Sequence, residues 1–67
     1  MSFHDNLKRA LVMKGVSQTE LADAIGKSES TVSRYVSGKR RPDIQTLSKI
    51  ALCLHMTTDD LTRGEGD

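Results

Sequence analysis

The sequence predicts an all-α fold, a compact five-helix domain built around a central helix-turn-helix, and three observations predict it. Residues 18–37 space Leu21, Ala22, Ile25, Gly26, Val32 and Tyr35 as two short helices that cross steeply at a tight turn. Apolar residues recur elsewhere with a helical period, and no strand signal competes. Glycines at 15, 26, 38 and 64 fall where helices should stop.

Each element has a local reason. Ser2 with Asp5, Ser17 with Glu20 and Thr57 with Asp60 are hydroxyl–acid pairs three residues apart, the pattern that satisfies free N–H groups at a helix start. Pro42-Asp43 adds a proline stop followed by an N-cap, and Ser28 is placed to cap the helix after it. Helices are therefore expected at about 3–14, 18–25, 29–37, 43–55 and 58–63, with Gly64-Glu65-Gly66-Asp67 frayed. Phe3, Leu7, Ala10 and Leu11 form one apolar stripe, Leu21, Ala24 and Ile25 a second, and Ile44, Leu47, Ile50, Ala51 and Leu54 a third. Helices this short do not persist alone in water, so the stripes must bury one another against Val32, Tyr35 and Val36.

Length and composition bound the function. The 67 residues form a single domain, 1–67, with no room for a second catalytic one. A chain of this size buries only roughly 60% of its unfolded surface, so its stability is modest. No stretch approaches the ~20 apolar residues of a membrane span. The opening Met-Ser-Phe-His-Asp has no basic segment followed by an apolar run, which points to a cytoplasmic protein. The one cysteine, Cys53, lies in an apolar helical stretch and reads as a buried, inert thiol. His55 is two residues from it and on another helix face, so no metal site is expected. No nucleophile, base and orienting group stand at a recognisable spacing, so neither catalysis nor a cofactor is expected.

Charge is unevenly divided. The net +1 conceals a balanced segment 1–26, a +4 excess over 27–41 and a −3 deficit over 42–67. The basic segment covers the second helix of the central pair and the turn after it, and that helix's outward face reads Glu29, Ser30, Ser33, Arg34 and Ser37. Such a face, with Glu29, Ser30, Ser33 and Arg34 set to reach base edges beside a cationic turn, suits double-stranded DNA. Arg34 can donate two parallel hydrogen bonds to guanine O6 and N7, with a phosphate contact or a surface ion pair as alternatives. Glu29 can accept from cytosine N4 or serve the positive end of its own helix. Lys39, Arg40 and Arg41 are placed for phosphates, with Lys27, Ser28 and Ser37 as further contacts and Lys14 a weaker one. Gln18 opens its helix where N–H groups can share a phosphate.

The chain resembles the phage repressor and Cro-like helix-turn-helix family over nearly its whole length. The resemblance rests on Ser17-Gln18-Thr19-Glu20-Leu21-Ala22, Ile25-Gly26, Ser30-Thr31-Val32-Ser33-Arg34-Tyr35, Ser37-Gly38-Lys39-Arg40-Arg41-Pro42 and Leu47-Ser48-Lys49-Ile50-Ala51. It implies a lambda-repressor-like DNA-binding fold with the third helix in the major groove of a palindromic operator. It also implies Gln18 at a phosphate, Glu29, Ser30 and Arg34 facing bases, and a homodimer. Some relatives link the first helix to the end of the third by a polar pair, where Leu11 and Val36 stand here; an apolar contact avoids the desolvation cost of such a pair. The expected activity is transcriptional regulation, repression foremost, with a dimer surface drawn from Leu54, Met56 and Leu61. Two alternatives stand beside it: an antitoxin or immunity-type factor that binds a partner protein, and the N-terminal domain of a longer repressor.

Overall fold

The computed structural model describes residues 2–64 and contains α1 (Phe3–Lys14), α2 (Gln18–Ile25), α3 (Glu29–Ser37), α4 (Ile44–Cys53) and α5 (Thr58–Thr62). Of the residues expected to fray, Gly64 to Asp67, residues 65–67 lie outside those described.

Every helix begins on a side chain that accepts from the N–H three residues on. Ser2, Ser17, Ser28, Asp43 and Thr57 occupy these caps in chain order. Two of them, Ser17 with Glu20 and Thr57 with Asp60, close as reciprocal boxes. At Ser2 the arrangement differs from the expected box, because the Asp5 carboxylate accepts from the Ser2 hydroxyl at 2.9 Å. The first four helices end alike, with an N–H reaching five residues back: Val16 to Leu11, Lys27 to Ala22, Lys39 to Arg34 and Met56 to Ala51, all at 2.9–3.0 Å.

The core is one cluster to which all five helices contribute, with Leu7, Leu21, Val32, Ile50, Leu54 and Leu61 wholly buried. α2 packs on α3 and α4, α1 on α3 and α5, and α4 on α5. α1 is also tied to the chain's far end, since the Asn6 side-chain amide donates to the carbonyls of Leu61 and Arg63 at 2.9 and 2.8 Å. Leu11 and Val36 are both buried and line one shallow recess, consistent with an apolar contact between α1 and the end of α3.

Three expectations about burial change. Ile44 is 84% exposed, because as the first residue of α4 it lies about 200° around the helix from Thr46, which takes the inner position at 5% exposure. Ala24 is exposed, and Ala22 fills its place against the neighbouring helix. Cys53 is half-buried, packed on the rim of the core.

Candidate nucleic-acid interface

α3 owes its pose to the turn before it. Gly26 adopts φ +71°, a left-handed conformation that a side chain resists, and this turns the chain so that α3 begins within three residues of the end of α2. Val32, Tyr35 and Val36 then bury the inner face of α3. The same rotation leaves Glu29, Ser30, Ser33, Arg34 and Ser37 exposed on the outer face. Tyr35, at 3% exposure, is a core residue and offers no stacking surface.

One open recess gathers most of the predicted contact residues. Gln18 from the start of α2, Glu29, Ser30, Ser33, Arg34 and Ser37 from α3, and Lys39 from the following loop line it together. All four residues expected to face bases are therefore side by side, flanked by three of those expected at phosphates. Among the described residues Arg34 forms no ion pair, so the surface-pair alternative has no partner in the fold. The Ser37 hydroxyl donates to the Arg34 carbonyl at 3.2 Å, so its proton is already committed to the backbone.

The remaining phosphate candidates lie elsewhere. Ser28 serves as the α3 cap: its Oγ accepts from the Thr31 N–H at 3.1 Å and shares a hydrogen bond with the Thr31 hydroxyl at 2.9 Å. Lys27 is close enough to Asp43 to contribute to holding that carboxyl below its ordinary range, after the larger effect of the hydrogen bonds from Thr46. Arg40 and Arg41 line a second recess with Ser2, Phe3, His4, Tyr35 and Gly38. There the Arg41 guanidinium stacks over the Phe3 ring, 5.4 Å from its centroid. The basic run is thus split, Lys39 going to one recess and the two arginines to the other.

The expected dimer surface needs correction. Leu54 and Leu61 are 0% exposed, because both point inward where α4, α5 and α1 meet, and they offer nothing to a second molecule. Met56 is half-buried and lines a groove between α1 and α5 with Met13, Arg9 and Arg63. The large apolar side chains that do face solvent are Val12, Met13, Ile44 and Leu52.

Sequence reasoning missed the contacts of the α1 N-terminus: His4 against Gly38, Phe3 under Arg41 and the Asn6 clamp. Each joins residues more than 30 positions apart, and no local pattern carries such a pairing.

Comparison with known proteins gives a consistent neighbourhood. A family model described as helix-turn-helix matches residues 7–61. The HTH-type transcriptional regulator YonR, from the SPbeta prophage of Bacillus subtilis, is 37% identical over 62 residues, covering 92% of this chain and 57% of that protein. Among solved structures, a transcriptional regulator from Listeria innocua superposes with a TM-score of 0.86 at 29% identity, over 98% of this chain and 62% of its own. The restriction-modification controller protein C.AhdI from Aeromonas hydrophila does so with a TM-score of 0.83 at 29% identity, over 88% and 89%. The chain spans a little over half the length of YonR.

Proposed function

The chain belongs to the Cro/C1-type helix-turn-helix family, and from that premise we propose that it is a sequence-specific transcriptional repressor acting on double-stranded DNA. The observation that carries this reading is the recess that joins Gln18, Glu29, Ser30, Ser33, Arg34 and Lys39 on one exposed face. α3 enters the major groove, where Arg34 reads a guanine and Glu29, Ser30 and Ser33 stand at neighbouring base edges. Gln18 and Lys39 hold the phosphates on either side of it and fix the register. Residues 1–67 act as one DNA-binding domain.

The unit on DNA is a homodimer with one α3 per half-site. Its operator is palindromic, with half-site centres about 34 Å apart, one turn of the duplex. With Leu54 and Leu61 withdrawn into the core, Leu52 at the end of α4 and Met56 in the turn after it supply the apolar part of the dimer contact. Repression follows from occupying an operator that overlaps a promoter, and the protein works in the cytoplasm; among the described residues no helix is long and apolar enough to cross a membrane.

Selection of bound duplexes from a random pool, followed by titration of the winner at two salt concentrations, tests this reading. The expected result is a palindrome with half-sites one turn apart. Salt-sensitive binding with no enriched sequence would overturn sequence-specific recognition.

A further inference from the structure

The cations of α1 divide between the two sides of the helix. Arg9, with Met13 one turn on, lines the groove towards α5. Lys8, with Val12 one turn on, lines the shallow recess towards α2 and α3, together with Val16, Gln18 and Val36. Lys14, expected as a weaker phosphate contact, belongs to the α5 side: the hydrogen bonds from Thr57 hold the Asp60 carboxyl below its ordinary range, and Arg63 and then Lys14 add to this. Lys8 stands near Asp5, whose carboxyl is held low first by Ser2 and then by His4 and Lys8. Among the described residues, however, Lys8 forms no ion pair. Its recess adjoins the recognition recess, since Gln18 lines both, and Val36 in one is followed in the chain by Ser37 in the other.

We propose that Lys8 and Val12 form a ledge that carries the DNA strand on past Gln18, with Lys8 as a further phosphate contact and Val12 as an apolar face for the adjoining deoxyribose. The inference rests on the DNA-binding reading above. A strand held at Gln18 passes from one recess to the other at the residue they share. Lys8 is exposed and Val12 is 77% exposed, so both are open to such a strand. The two are neighbours on the helix surface, four residues apart, so the lysine's methylene stem can lie along the valine while its ammonium stays in water. Apolar side chains beside the ammonium keep water from the pair it makes with a phosphate and so strengthen it. Deoxyribose carbons match an exposed valine, whereas a free anion at Lys8 would leave Val12 uncovered. A contact to phosphate and sugar carries no base identity, so the ledge lengthens the footprint and raises affinity without changing sequence preference.

Matched neighbours on the two sides of α1 test this. Lys8→Gln is set against Arg9→Gln, and Val12→Glu against Met13→Glu, each pair making the same charge change one residue apart on exposed positions. The full chain is titrated with a duplex holding one half-site, so that self-association does not enter, and with a random duplex, at several salt concentrations. K8Q should weaken binding about fivefold on both duplexes near about 0.1 M salt and lower the salt slope by about 1. V12E should weaken it about tenfold, while R9Q and M13E stay within about twofold of wild type. Equal losses within each pair would mean that net charge alone acts, and would overturn the ledge. Single uncharged methylphosphonate linkages then place the contact: the linkage at Lys8 should weaken wild type but not K8Q, and lie beyond the one whose effect Gln18→Ala removes. Wild type indifferent to every linkage beyond that one overturns the proposal, even should K8Q fail to fold. So do K8Q and V12E variants that bind DNA like wild type but sediment differently, which would give this face to a second copy. If Arg34-dependent preference survives such a result, only the ledge falls; if no duplex binds at all, the DNA reading falls with it.

Discussion

The two halves of this small domain use the same chain geometry for different ends. α2 and α3 are joined through Gly26 at φ +71°, and α4 and α5 through His55 at φ +55°; both turns carry the same backbone hydrogen bond from five residues on. In the first half the left-handed position is filled by a residue with no Cβ, so the turn holds α3 without strain and leaves its polar face free. In the second a side chain sits in that conformation, at a cost of roughly 1 to 2 kcal/mol. The wholly buried leucines 54 and 61 fall on either side of His55. The α2–α3 half is exposed and polar on the outer face of α3, whereas the closing half buries Leu54 and Leu61 and absorbs backbone strain.

The largest expected effect breaks the closing half. Leu54→Ala or Leu61→Ala removes a wholly buried side chain and should cost about 2 to 5 kcal/mol. In a domain of this size that lowers the melting temperature by about 10 °C or more. The melt should fall equally at low and high protein concentration, since the loss is inside one protomer. A loss confined to self-association, with the monomer's melt unchanged, would return these residues to the dimer surface. Leu52→Glu provides the contrast: it should leave the melt in place and weaken cooperative filling of the two half-sites.

The recognition half is tested on DNA. Arg34→Ala should weaken binding by about 1 to 3 kcal/mol and relax preference at one base pair per half-site, while leaving the melt unchanged. Competition between the selected duplex and a random one measures both. Equal losses on the two duplexes would make Arg34 a phosphate ligand.

Local chemistry made most of the fold legible in the sequence. Ser17, Ser28 and Thr57 each cap the helix they precede, and Gly15, Gly26 and Gly38 each end one, because these preferences depend on residues within one turn. The grouping of the candidate site residues in one recess was legible for the same reason: five of them lie on one face of one helix. Periodicity failed at Ile44, where an apolar residue at a helix start shares the type but not the angle of the inner stripe. At Leu54 it placed the residue rightly in the buried stripe, and what failed there and at Leu61 was the expected dimer surface, since an apolar residue near the last helix reads alike whether it faces a neighbouring helix or a second molecule. The separation of Arg40 and Arg41 from Lys39 depends on Phe3 and His4, which lie more than 30 residues away in the chain.

The two left-handed turns yield an opposed pair of variants. Gly26→Ala forces a Cβ into the left-handed region and should destabilise by about 1 to 2 kcal/mol. The space around Gly26 is open, so strain in the backbone, not a clash, is the cause. His55→Gly relieves the same strain, but the greater freedom of glycine in the unfolded chain offsets part of the gain, leaving a net stabilisation of up to about 1 kcal/mol. Chemical denaturation of both variants at one pH measures the pair. If the two changes had the same sign, the left-handed turn would not be the source of the difference between the halves.

The smallest effect separates the halves by acid. α3 is capped by the Ser28 hydroxyl, which does not titrate, whereas α4 is capped by the Asp43 carboxylate, which accepts from the Thr46 N–H at 2.8 Å. Those hydrogen bonds, with smaller contributions from Lys27 and Lys49, hold the Asp43 carboxyl below its ordinary value of 3.8. Thr57 does the same for Asp60 at the start of α5. A carboxyl whose folded pKa is depressed stabilises the fold while it is ionised, above its unfolded value, and that contribution is lost as the pH falls through the folded one. Acid should therefore loosen the starts of α4 and α5 before that of α3. Hydrogen-exchange protection of the Thr46 amide should decline below about pH 4, where carboxylates protonate, while that of Thr31 holds. In Asp43→Asn, which keeps an accepting oxygen but no titrating proton, the decline at Thr46 should disappear. Parallel loss at Thr31 and Thr46 in the wild type would mean that the two halves open as one unit in acid.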